Sequence, residues 1–100
     1  MARDIHAYRE VAVESFYDGA RVRVRPMNGQ AYHSGLRVDC PQAMRDPQRY
    51  PVGTCFKVLA KLTDRLGGEP YLYVYHGDPI EVLTPQQSKT FLAAFRRGRI

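Results

Sequence analysis

Two alternating runs hold the residues best suited to chemistry: Arg21-Val22-Arg23-Val24-Arg25 and Tyr71-Leu72-Tyr73-Val74-Tyr75. Successive side chains on a strand point to opposite faces. With Val22, Val24, Leu72 and Val74 turned inward, three arginines and three tyrosines line an outer surface. Lys57 and Lys61 lie opposite Phe56 and Val58 in a third alternating run and join that surface if the strands pair. Cations neutralise phosphates, and exposed rings stack on bases at ~1–3 kcal/mol each. The pattern therefore predicts a nucleic-acid face, for DNA or RNA, of Arg21, Arg23, Arg25, Lys57, Lys61, Tyr71, Tyr73 and Tyr75. A second reading keeps the rings and changes the partner. Contiguous exposed aromatics are rare on monomers, so the tyrosine stripe would be buried between two copies of the chain, under a protein partner, or beneath a terminal helix. A third places a small-ligand pocket between helix and sheet.

Catalytic chemistry finds no comparable pattern. A cysteine nucleophile needs a base within hydrogen-bond reach, and His33 stands in a loop seven residues before Cys40 with nothing to bring them together. His76-Gly77-Asp78 reads as a turn in which Asp78 caps its own backbone. Asp39 is the remaining candidate. The three histidines lack a spacing that would converge on a metal, and Cys40 and Cys55 form no Cys-x-x-Cys pair. Gly67-Gly68 is not followed by a helix, so it is no phosphate loop. No enzyme, metal or cofactor is expected.

The chain of 100 residues, 44% apolar, has the size and composition of a single domain with one core. No apolar run approaches the ~18 residues of a membrane helix, and Met1–His6 lacks the apolar stretch of a secretory signal. A cytoplasmic protein with reduced thiols is expected. The net charge is +5, and Lys89, Arg96, Arg97 and Arg99 supply most of it in a stretch without acids. That basic end grips phosphate or simply solvates the terminus and complements a helix dipole.

Positioning falls to a set of short strands. Residues 1–18 hold no single period; Glu10–Glu14 reads as a short strand, an extra edge or a dimer arm. Strands are predicted at 20–26, 36–40, 54–63, 71–76 and 80–83, punctuated by Pro26, Pro41 and the glycine turns. One helical turn fits around Ala43–Arg45. Residues 64–70 close a hairpin. Thr84, Pro85 and Gln87 spell a capping box with proline at the first helical position, opening a helix over 84–97 whose stripe is Phe91, Leu92 and Phe95. The whole is mainly β (α+β): a small five-stranded SH3-like barrel or bent antiparallel sheet with one C-terminal helix, an OB-fold being the next best fit. Residues 19–83 make the sheet or barrel.

Two resemblances add context. Gly19-Ala20-Arg21-Val22-Arg23-Val24 resembles the Gly-x-x-Val-x-Val opening of KOW-type SH3-like barrels. The runs Tyr50-Pro51-Val52-Gly53-Thr54, Ala60–Arg65, Gly67-Gly68 and Tyr71-Leu72-Tyr73 are similar to small bacterial proteins carried on mobile gene cassettes of integrons. That resemblance covers about a third of the chain. It implies a compact bacterial cytoplasmic protein and brings no catalytic motif or family function with it.

Overall fold

The computed structural model describes residues 7–64 and 67–96. Six strands and one helix follow in order: β1 (Arg9–Tyr17), β2 (Val22–Pro26), β3 (Val38–Asp39), β4 (Cys55–Thr63), β5 (Tyr71–Val74), β6 (Glu81–Leu83) and α1 (Pro85–Arg96). A 3-10 turn, Gln42–Arg45, lies between β3 and β4. The sheet runs β2-β1-β4-β5-β3, with β6 added to β4. Those five strands wrap into a nearly closed, barrel-like sheet.

β1 corrects the expectation of an edge strand or arm. It pairs with β2 through Val13–Tyr17 and with β4 through Arg9–Glu14, so it is an interior strand of the sheet. Its missing period has a cause. Val11, Ala12 and Val13 are all fully buried, so both faces of the strand are covered. Strand alternation is legible only where one face meets water.

β4 shows that alternation. Phe56, Val58 and Ala60 point inward while Cys55, Lys57, Leu59 and Lys61 point out. It also changes partner midway, pairing with β6 at Cys55–Lys57 and with β5 at Ala60–Thr63. The β4–β5 pairing is the expected hairpin. β3 departs from an all-antiparallel sheet, because Val38 and Asp39 run parallel to Leu72 and Tyr73. The core holds Phe56, Met44, Leu72, Val11, Val13, Pro26 and Cys40, all fully buried. Tyr50 packs its edge on Phe56 at 5.2 Å.

The helix starts as its sequence requires. Gln87 N–H donates to Thr84 Oγ1 at 3.1 Å, and Thr84 N–H donates to Gln87 Oε1 at 2.8 Å. α1 packs against β1 and β6. Ser88, on the helix itself, is buried. The tyrosines of β5 are not its docking face. Arg97, Arg99 and the predicted stop at Gly98 lie outside the described residues.

Candidate nucleic-acid interface

Between β2 and β3 the sheet stays open. The two strands end the hydrogen-bonded path, and their Cα atoms approach within 8 Å without ladder pairing. The opening is a cavity of about 280 Å³ lined by Val24 and Val38 together with Arg21, Arg23, Arg37, Arg45, Asp39 and Tyr71. Four guanidinium groups thus face one carboxylate. Two further cavities extend it. One of about 690 Å³ adds Arg49 and Asp46 beyond Arg21 and Arg45. The other, about 890 Å³, adds His33 and the Gly68–Pro70 turn beyond Arg23 and Arg37.

Local structure places each cation. Asp18 Oδ1 accepts from the N–H groups of Ala20 and Arg21, both at 2.9 Å. Gly19 takes φ +98, which favours glycine. This tight turn presents Arg21 at the start of β2. The two backbone hydrogen bonds, from Arg21 first and then Ala20, hold the Asp18 carboxyl below its ordinary value. Asp18 also pairs with Arg23 at 3.6 Å. Arg37 stands beside Tyr71 on the outer face, its guanidinium 5.0 Å from the ring centroid. Arg45 closes the 3-10 turn. Among the described residues, Arg21, Arg37 and Arg45 make no ion pair.

The expected residues divide between this cleft and the rest of the surface. Arg21, Arg23 and Tyr71 line it. Arg25 also faces outward but looks toward β1, where it pairs with Glu14 at 3.4 Å and covers the Phe16 ring at 4.4 Å. Lys57 is held between Glu10 and Glu81, at 3.3 Å from each. Those contacts, Glu81 foremost, raise its pKa and occupy its charge. Lys61 stands opposite Tyr73 across the β4–β5 ladder, as interleaving requires, with Nζ 5.7 Å from the Tyr8 ring.

The three tyrosines form no continuous open stripe. Tyr71 is only 6% exposed, Tyr73 is half-buried and stacked on His76 at 5.9 Å, and Tyr75 stands beyond the end of β5, 41% exposed. Packing within one chain, rather than a second copy, already covers Tyr71.

Arg37 and Arg45 were not among the expected residues. Arg37 had a signal, since alternation around Val38 turns it outward with Asp39. Arg45 had none, because a 3-10 turn has no strand period to read.

Of the catalytic candidates, His76 and Asp39 come together, while Cys40 and His33 are each engaged elsewhere. Cys40 is 1% exposed, and burial pushes its thiol up to about 11, far from a reactive thiolate. His33 Nδ1 accepts from Gly35 N–H at 3.1 Å in its own turn. His76 Nε2 lies 3.5 Å from Asp39 Oδ1. Among the described residues, no group of three or more His, Cys, Asp or Glu could hold a metal. None of their helices is long and apolar enough to cross a membrane.

Fold and cleft together define a class: a small barrel-like domain, open along one seam and lined there by arginine. No protein-family model, curated protein or solved structure matches the chain.

Proposed function

We propose that this protein binds single-stranded nucleic acid along the β2–β3 cleft. The observation that carries the reading is the convergence of Arg21, Arg37 and Arg45, none of them ion-paired among the described residues, on one cavity that they share with Arg23. Guanidinium groups left without carboxylates are poor core formers and good phosphate ligands, since each offers a planar fork of donors. A cleft between two strands admits one backbone and excludes the convex surface of a duplex.

The strand order supports the same reading. Five strands ordered 2-1-4-5-3, with β3 parallel to β5 and the gap between β2 and β3, follow the connectivity of an OB-type barrel. In such barrels strands 2 and 3, with the β1–β2 and β4–β5 loops, form the ligand face. Here those elements supply Arg21, Arg23, Arg37 and the Gly68–Pro70 turn. Tyr73 and His76, stacked beside Asp39 on the outer face, extend the surface available to a base.

The test is a fluorescence-anisotropy titration of labelled single-stranded and duplex oligonucleotides at ~50 and ~200 mM salt. Four phosphate contacts on a single strand predict a loss of roughly 50-fold between those salts, from a slope of about −0.7 per contact. Duplex of the same sequence binds more weakly. Absence of binding at ~50 mM salt, or binding indifferent to salt, removes the reading.

A further inference from the structure

We infer that the 280 Å³ cavity at the centre of the seam is a pocket for a phosphomonoester, the phosphate at the end of a nucleic-acid strand. The inference rests on the nucleic-acid reading of the same cleft and narrows its ligand. Charge is the first ground. A phosphodiester within a strand carries one negative charge, whereas a terminal phosphate carries about −1.5 to −2 near pH 7. Arg21, Arg23, Arg37 and Arg45 line one small volume with Asp39, which itself lies 3.5 Å from His76; only Arg23 of the four is paired, with Asp18 outside the cavity. A track for a strand interior would spread its cations along the groove. Here the flanking cavities add one further arginine, Arg49, with Asp46 and Glu69 among their linings.

The second ground is preorganisation. Arg37 is braced on Tyr71, and the Asp18 turn fixes the backbone of Arg21 and pairs with Arg23. Bidentate contact from guanidiniums already held in place makes a terminal phosphate a better ligand than a hydroxyl end.

The experiment compares one short single-stranded sequence in three forms: 5′-phosphorylated, 3′-phosphorylated and unphosphorylated. Binding is measured by anisotropy at one salt concentration. A phosphate at one end or the other should tighten binding by about tenfold, the return on one further charge-assisted hydrogen bond. Arg37→Gln and Arg45→Gln, both exposed positions, should each bring that ratio close to one. Arg25→Gln, outside the cleft, should keep it. A nucleoside 5′-monophosphate and inorganic phosphate serve as competitors and as titrants followed by arginine Nε–H resonances.

Equal binding of all three oligonucleotides overturns the pocket while leaving the nucleic-acid reading in place. If no oligonucleotide binds but the monophosphate shifts the Arg37 and Arg45 resonances, the phosphomonoester pocket stands and the nucleic-acid reading falls. A gain that survives both Arg37→Gln and Arg45→Gln places the phosphate elsewhere and overturns the inference.

Discussion

The Arg37 guanidinium lies 5.0 Å from the centre of the Tyr71 ring, and both side chains line the open seam between β2 and β3. Ring and cation are neighbours because β3 pairs parallel with β5, setting Val38 beside Leu72 and turning Arg37 and Tyr71 to the same outer face. Stacking restrains a long side chain that would otherwise lose entropy on gripping a ligand. The relationship links a buried tyrosine to an exposed arginine of the candidate site.

Arg37→Gln should weaken binding of single-stranded oligonucleotide and flatten its dependence on salt. Loss of one phosphate contact lowers the slope of log K against log salt by about 0.7. Tyr71→Phe keeps the ring and should leave that slope unchanged. Anisotropy titrations over a salt series read both, and an unchanged slope in Arg37→Gln would exclude Arg37 as a phosphate contact.

The two thiols should differ sharply in reactivity. Cys40 is buried and its pKa is raised to about 11, while Cys55 is half-buried at the start of β4. A chromogenic disulfide reagent at pH 8 should therefore consume one thiol quickly and the second only on unfolding. Cys55→Ser should abolish the fast phase. Rapid loss of both thiols in folded protein would contradict the burial of Cys40.

Stability in acid should report the Asp18 turn. Its carboxylate is held below the ordinary value by the N–H groups of Arg21 and Ala20, so the folded pKa lies below the unfolded one. The contribution is complete above the unfolded value, near pH 4, and is lost as pH falls through the folded value. Urea midpoints of the native chain and Asp18→Asn should differ at pH 6, and the gap should narrow below about pH 4. A gap independent of pH would mean that the carboxylate charge plays no part.

Thr84→Ala removes the side-chain acceptor for Gln87 N–H and unpicks the capping box. The cost should be about 1 kcal/mol, or about 4–8 °C in Tm for a domain of this size. Thermal unfolding by circular dichroism checks it. Thr84→Ser keeps a hydroxyl acceptor and should recover most of the loss.

Several features were legible in the sequence because their physics is local. Thr84, Pro85 and Gln87 suffice to start α1, since the donors and acceptors involved lie within three residues of one another. The Gly67-Gly68 turn and two alternating runs suffice for the β4–β5 hairpin. Within β2, alternation alone turns Val24 inward and Arg23 and Arg25 outward. The mainly β class with one terminal helix follows from these pieces.

Tertiary structure decided which outward faces meet. Period-two alternation assigns a side chain to a face and says nothing about the neighbouring strand, which burial of the whole apolar set selects. So Arg25 and Lys57, outward as read, are engaged by Glu14 and by Glu10 with Glu81. Tyr71, also on an outer face, is covered, and β1 became an interior strand because β2 and β4 pair with its two edges. Arg37 and Arg45, separated from Arg21 by more than a dozen residues, reach it only because the barrel stops short of closing between β2 and β3. The chain alone determined its strands, its helix and its stock of cations. The incomplete closure of the sheet determined which of those cations share a cleft.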